Sequence, residues 1–151
     1  MLNVLGVHTY YGDSHVLQGV TMTVAKGTVT AVLGRNGVGK TTLCRSLAGL
    51  TPARAGRIVY NGTEITDLPP HTICRMRISL VPQGRRIFSS LTVEENLAIA
   101  VLLIEHDIDV AFGFAERITV LYQGRVLIEG PKEVVSANRS VQESYLGLLV
   151  R

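Results

Sequence analysis

The stretch Thr28–Thr42 reads TVTAVLGRNGVGKTT and decides the fold. It begins with a run of β-branched and apolar residues, Thr28 to Leu33, which is typical of a buried parallel strand. A glycine-rich loop follows. Good helix formers then extend from Lys40 to Leu50, where Gly49 and Pro52 help to end the helix. A strand, a glycine loop and a helix in this order predict a site for phosphate groups.

The residue types in this loop suit phosphate chemistry. Glycines at 34, 37 and 39 let the backbone curl so that successive N–H groups point inward. The following helix adds its unpaired N–H groups and the positive end of its dipole. Lys40 can reach the β- and γ-phosphates, and the Thr41 hydroxyl can ligate Mg²⁺. We therefore predict that the phosphates and the metal are bound by Gly34, Arg35, Asn36, Gly37, Val38, Gly39, Lys40, Thr41 and Thr42.

Length and composition restrict the classes of protein that need to be considered. The chain has 151 residues, of which 46% are hydrophobic and 18% charged, so a single domain with a packed core is expected. The net charge of +3 is spread along the chain and does not indicate a nucleic-acid partner. The longest apolar run, Leu97 to Ile104, is too short for a membrane span, which needs about 20 residues. A membrane role would therefore require a partner.

The order of predicted elements gives the fold class. Strands alternate with helices, which predicts an α/β protein with a P-loop core and a largely parallel sheet. Turn signals at Asn61-Gly62 and Gln123-Gly124 predict hairpins, and hairpins toward both ends of the chain predict an antiparallel annex. Asp107 predicts the start of a helix from Ile108 to about Arg117.

Three residues outside the loop are candidates for nucleotide contacts. Tyr11 can stack on a purine ring, with Tyr10 as the alternative. Gln83 follows a predicted strand, where parallel sheets place ligands, and its amide can reach Mg²⁺ or water. His106 follows another strand and can hydrogen-bond a γ-phosphate. Each also has an ordinary interpretation as a packed or surface side chain.

These motifs together resemble a known family. The segments Val81-Pro82-Gln83 and Ile104-Glu105-His106-Asp107 look like the Q-loop and H-loop of ATP-binding cassette (ABC) proteins. Pro82–Phe88 and Leu91–Leu97 resemble the ATP-binding subunits of branched-chain amino acid and urea importers. The stretch Leu103–Asp109 looks more like the sister subunit, so a fusion of two sister subunits remains open.

The resemblance implies a set of functional expectations. It implies ATP and Mg²⁺ as cofactors, adenine stacked on Tyr11, and catalytic roles for Gln83 and His106, with Gln83 also near the metal. It implies a second ATP-binding subunit, identical or different, and transmembrane permease subunits as partners. The expected location is the cytoplasmic face of the membrane, as a peripheral protein.

One junction departs from the family pattern. The predicted helix from Thr92 meets the strand at Val101 without a turn residue, although such connections usually take about 2–6 residues. The family places a helical subdomain there, with a Leu-Ser-Gly-Gly signature and a Walker B strand ending in Asp and Glu. The sequence contains neither, unless Leu102–Asp107 is itself the Walker B strand. We expect residues 1–151 to form one internally truncated nucleotide-binding domain, interrupted between Ala100 and Val101, and hydrolysis is in doubt. The alternative is a remnant that binds ATP without hydrolysing it.

Overall fold

The computed structural model describes residues 1–78, 80, 103–104, 112–113 and 115–143, which form two β-sheets with helices against them. In chain order the strands are β1 (Leu2–Tyr11), β2 (Ser14–Val24), β3 (Thr30–Leu33), β4 (Ala55–Tyr60), β5 (Thr63–Glu64), β6 (Leu103–Ile104), β7 (Arg117–Tyr122) and β8 (Arg125–Pro131). The helices are α1 (Lys40–Leu47), α2 (Pro70–Arg75), α3 (Lys132–Ser136) and α4 (Arg139–Val141).

The first sheet is antiparallel throughout, with the strand order β2-β1-β4-β5. A turn at Gly12 and Asp13 joins β1 to β2, since Tyr11 pairs with Ser14. Asn61 and Gly62 join β4 to β5 with φ angles of 48° and 85°, as the Asn-Gly signal predicts. This sheet is the predicted antiparallel annex.

The second sheet contains the phosphate-loop strand, with the order β6-β3-β7-β8. Strand β3 runs parallel to both of its neighbours, and all four of its residues are buried. Strands β7 and β8 form the hairpin predicted at Gln123-Gly124. The predicted buried parallel strand is therefore confirmed from Thr30 to Leu33, two residues shorter than the predicted run from Thr28, and it lies between two other parallel strands.

Two apolar clusters hold these layers together. The larger one lies where the antiparallel sheet meets α1, α2 and one face of the second sheet, and it includes Val7, Leu17, Val32, Leu43 and Leu121. The smaller one covers the other face of the second sheet against α3 and α4, and it includes Ala31, Leu33, Ile118, Val120, Val135 and Val141. Alternate residues of β3 therefore face different clusters, so the strand that leads into the glycine loop is packed on both faces.

Two predicted helix ends were wrong. Helix α1 stops at Leu47 because Gly49 takes a φ of 70° and the N–H of Leu50 turns back to the carbonyl of Arg45 at 2.8 Å. The helix predicted to reach Arg117 ends earlier. Glu116 and Arg117 both donate their N–H groups to the Val29 carbonyl, at 3.1 and 3.3 Å, so Arg117 already belongs to β7.

Several sequence-based predictions fall outside the described residues. These are the placements of Gln83 and His106 and the junction between Ala100 and Val101. Among the described residues, no helix is long and apolar enough to cross a bilayer.

Candidate nucleotide site

The loop after β3 has the backbone conformation that its glycines predict. Gly37 and Gly39 take φ angles of 84° and 103°, which residues with a side chain rarely adopt. A Cβ atom on Gly39 would lie 2.8 Å from Cδ2 of Leu17, so that position also lacks room for one. Gly39 is therefore required by both its dihedral angle and its neighbours, whereas Gly37 is required by its dihedral angle alone.

The helix that follows offers unpaired backbone donors. Its N-cap, Gly39, provides no side-chain hydrogen bond, and its first turn has no acidic residue. The N–H of Leu43 donates to the Gly39 carbonyl at 2.8 Å. The N–H groups of Lys40, Thr41 and Thr42 precede that bond and are the ones that a helix leaves without partners. Such an N-terminus favours an anion.

Lys40 lies inside this loop and not in solvent. Its Nζ donates to the Gly34 carbonyl at 2.5 Å and to the Arg35 carbonyl at 2.9 Å, and the residue is only 6% exposed. Burial lowers the pKa of Lys40 below its ordinary value of 10.5. An ammonium has three donors, so one remains after these two bonds. Among the described residues no carboxylate pairs with Lys40. Its ammonium is therefore a buried positive charge that no negative charge among those residues balances.

The described residues also fit a magnesium ion, because this metal needs only one or two oxygen ligands from the protein. Thr41 is exposed on the first turn of α1, next to Lys40, so its hydroxyl is accessible. The described part of the chain has no cluster of three or more histidine, cysteine, aspartate or glutamate residues that could hold a metal alone. Mg²⁺ commonly takes one or two protein oxygens and completes its shell with phosphate oxygens and water. Thr41 is suited to supply one such oxygen.

The structure separates the two tyrosines that the sequence leaves as alternatives. Residues 9 and 11 of β1 contact α1 and the connection that follows it. The Thr9 hydroxyl lies 3.0 Å from that of Ser46 in α1, and the Tyr11 hydroxyl lies 3.4 Å from that of Thr51, beyond the end of α1. The side chain of Tyr10 makes different contacts. Its ring stacks on His15 with centroids 4.2 Å apart, and the Arg54 guanidinium lies 4.7 Å from its centroid. Tyr10 is therefore engaged within the hairpin.

Tyr11 connects the first strand to the phosphate-loop helix. Its pKa is held below its ordinary value of 10.0, first by the hydrogen bond with Thr51, and less by Thr42 and Arg45, while burial acts in the opposite direction. Thr42 is in the first turn of α1, so the phenol end of Tyr11 lies beside the helix that carries the phosphate loop. Tyr11 is nevertheless 47% exposed, which leaves ring surface available to a ligand.

The residues around Tyr11 include three that the sequence analysis did not single out. Arg45 donates from Nε to the Thr51 hydroxyl at 3.1 Å. Arg54 donates to the Gly12 carbonyl at 2.8 Å. Neither bond has a signature in the sequence, because the partners lie 6 and 42 positions apart and no motif links them.

The other two candidates, Gln83 and His106, lie outside the described residues. Strand β6 is parallel to β3, with Ile104 paired to Val32, so the carboxyl end of β6 is at the same edge of the sheet as the phosphate loop. His106 follows that end by two positions but is outside the described residues, as is Gln83.

Comparison with known proteins gives consistent matches. Residues 17–144 match the family described as ABC transporter. The chain is 46% identical over 107 residues to the high-affinity branched-chain amino acid transport ATP-binding protein BraG of Pseudomonas aeruginosa, covering 71% of this chain and 46% of the relative. It is 41% identical over 107 residues to the probable branched-chain amino acid transport ATP-binding protein LivF of Archaeoglobus fulgidus, covering 71% and 45%. The chain thus spans about half the length of the curated relatives it matches.

A solved structure shares the fold. The ADP conformation of MJ1267, an ATP-binding cassette of an ABC transporter, superposes with a TM-score of 0.76 at 18% identity, over 97% of this chain and 98% of that one. The fold is therefore that of an ABC cassette built on a P-loop core, as the sequence predicts. With the family match covering most of the chain, the conclusion is direct: this chain belongs to the ABC transporter family.

Proposed function

We propose that the chain is the ATP-binding part of an ABC importer, which couples ATP binding to the passage of a small solute through membrane partners. Branched-chain amino acids are the proposed class of solute, because the relatives BraG and LivF are named for that transport. The proposed partners are a second ATP-binding subunit and permease subunits, which would hold this chain at the cytoplasmic face of the membrane.

One observation carries the nucleotide part of the proposal. The Lys40 ammonium is buried against the Gly34 and Arg35 carbonyls, beside the unpaired N–H groups of α1. A buried cation at a helix N-terminus with no acidic partner among the described residues is stabilised by a bound anion such as a triphosphate. Mg²⁺ bound with that triphosphate would offset charge on its oxygens, and Thr41 is the residue proposed to ligate it.

The proposed roles of the other site residues follow from their positions. Tyr11 offers ring surface to the adenine, while the exposed Arg35, Asn36 and Gly37 form the open side of the loop. Gln83 is proposed to contact Mg²⁺ or water, and His106 the γ-phosphate, both from sequence position alone.

Isothermal titration with ATP tests this site. We expect Lys40→Ala to weaken ATP binding by about 10- to 100-fold, because a charge-assisted hydrogen bond to phosphate is lost. Lys26→Ala is the matched control, since it removes the same charge from an exposed turn. Equal ATP affinity in the Lys40→Ala and Lys26→Ala proteins would refute the phosphate assignment.

Turnover is tested separately from binding. The sequence contains no Leu-Ser-Gly-Gly motif and no Asp-Glu pair, so we expect phosphate release near background. A phosphate-release assay on the purified chain measures this. A rate of about 1 per second or faster, abolished in Lys40→Ala, would contradict the expectation and establish an active ATPase.

A further inference from the structure

The connection between α1 and β4 contacts the β1–β2 turn at two places. The hydroxyl of Thr51, in the middle of this connection, lies 3.4 Å from the Tyr11 hydroxyl. Arg54, at its end, donates a side-chain N–H to the Gly12 carbonyl at 2.8 Å. The same arginine donates its backbone N–H to the His8 carbonyl at 2.8 Å. Two adjacent residues of the turn, Tyr11 and Gly12, are therefore each held from one short segment.

The Thr51 contact is itself supported from α1. Arg45 donates from Nε to the Thr51 hydroxyl at 3.1 Å, and Thr51 is buried. The backbone N–H of Thr51 also reaches the Arg45 carbonyl at 3.3 Å. The chain of contacts thus runs from the helix carrying the phosphate loop, through a buried hydroxyl, to the phenol of Tyr11. It restricts how far the Tyr11 ring can move relative to that helix.

The Arg54 contact is supported from the opposite face of the hairpin. Its guanidinium lies 4.7 Å from the Tyr10 ring centroid, and Tyr10 stacks on His15. The Nε2 atom of His15 in turn lies 3.0 Å from the Nδ1 atom of His8. This arrangement links the strands on either side of the turn, and Tyr11 is the more exposed of the two tyrosine rings.

We propose that Thr51 and Arg54 are positioning residues for the nucleotide base, which hold the Tyr11 ring where a purine above the phosphate loop can stack on it. The inference rests on the proposed function, because it takes Tyr11 as the stacking ring. A ring that is already ordered loses less conformational entropy when the base binds, so the two residues raise affinity for the base without touching it. None of their hydrogen bonds reaches residues 34–42, so the binding of phosphate alone should not change.

The test compares two probes, ATP and inorganic tripolyphosphate, which differ by the nucleoside. Thr51→Val keeps the shape of the side chain and removes its hydroxyl, and Thr51→Ser keeps the hydroxyl. We expect Thr51→Val to weaken ATP binding by about threefold to tenfold, the range for one uncharged hydrogen bond. Tripolyphosphate affinity should remain within about twofold, and Thr51→Ser should restore ATP affinity.

Two further variants complete the comparison. Tyr11→Phe keeps the ring and removes the hydroxyl, so it should behave like Thr51→Val. Arg54→Ala should weaken ATP binding by about threefold, because its hydrogen bond is exposed to solvent, with Arg54→Lys recovering part of the loss. Circular dichroism melting of each variant confirms that the fold is retained.

The outcomes separate this inference from the proposed function. Tyr11→Ala should abolish the preference for ATP over tripolyphosphate. If it does so while Thr51→Val and Arg54→Ala keep that preference, the positioning role is wrong and the base site stands. If Tyr11→Ala keeps the preference as well, the base is not on Tyr11, and both ideas fail. Equal weakening of both probes by Thr51→Val would show a general structural effect and would also overturn the inference.

Discussion

The proposed phosphate side and the proposed base side of the site are built by different means. Residues 34–42 form the phosphate side through backbone conformation, with positive φ angles at Gly37 and Gly39 and free N–H groups at the start of α1. The base side depends on side chains distant in sequence, since Tyr11 is held by Thr51, which is 40 positions away. A backbone site is specified by a local motif, whereas a side-chain site requires the tertiary fold to be in place.

This difference predicts how the two sides respond to substitution. Changes that alter the backbone of the loop should abolish phosphate binding, because many donors are displaced together. Changes on the base side should be graded, because each removes a single contact from a ring that keeps its others. We therefore expect the largest effects from changes in the loop and smaller ones away from it.

Gly39→Ala should have the largest effect. A methyl group there combines a φ of 103° with a contact to the buried Leu17 side chain, so the loop or that side chain must shift. We expect tripolyphosphate affinity to fall at least tenfold and the free energy of unfolding to fall by about 1–3 kcal/mol. Gly37→Ala is the control, because its φ of 84° is also unfavourable but nothing lies within 4 Å of the added atom. Titration and urea unfolding give both quantities, and identical behaviour of the two variants would refute the crowding at Gly39.

The effect of pH on ATP affinity should be smaller than the effect of Gly39→Ala. Burial holds the pKa of Lys40 below 10.5, so the free protein loses this charge at a lower pH than an exposed lysine would. A bound triphosphate favours the charged form. ATP affinity should therefore fall as the pH rises through the lowered pKa. Titrations between about pH 7 and 10 measure this, with Lys40→Arg as the comparison because arginine keeps its charge. A decline of the same size in Lys40→Arg would show that another group is responsible.

The smallest effect concerns the two cysteines. Burial raises the pKa of Cys44 on α1 to about 12, whereas Cys74 is exposed. Because the thiolate is the reactive form, a thiol reagent at pH 8 should label Cys74 at once and Cys44 only when α1 opens. Bound ATP should slow the labelling of Cys44 further, and Cys74→Ala isolates that signal for mass spectrometry. Rapid labelling of Cys44 in the folded chain would contradict its burial.

Cys44 also gives a stability prediction with a defined sign. A thiol whose pKa is raised in the folded state contributes stability that is complete below its ordinary pKa of 9.0. That contribution is lost as the pH rises from 9.0 toward about 12. Cys44→Ala should lack this part of the alkaline decline in the free energy of unfolding.

The fold was predictable from sequence where its signals are local. The β-branched run before Gly34 predicts β3, and the turn pairs Asn61-Gly62 and Gln123-Gly124 predict two hairpins that the structure contains. One of the two errors occurred where tertiary contacts decide. The helix predicted to reach Arg117 ends earlier because the N–H of Arg117 pairs with Val29, which is far away in sequence.

The candidate site likewise has a part with local sequence signals and a part that depends on tertiary contacts. The phosphate loop could be proposed residue by residue, because glycine and polar positions at fixed spacing carry the chemistry. Tyr11 could be proposed with Tyr10 as the alternative, and the stacking of Tyr10 on His15 supports the choice of Tyr11. The contacts of Thr51 and Arg54 with the β1–β2 turn could not be predicted, since a threonine and an arginine after a helix have many ordinary roles.

Backbone N–H chemical shifts recorded with ATP and with tripolyphosphate test the two-sided site most directly. We predict that ATP shifts the signals of Gly37, Gly39, Lys40 and Thr41 and also those of Tyr11 and Gly12. Tripolyphosphate should shift only the first group. If ATP leaves Tyr11 and Gly12 unchanged, the base does not lie on the β1–β2 turn. If neither probe shifts the loop signals, the chain does not bind nucleotide phosphate at Lys40, and the proposed nucleotide site is wrong.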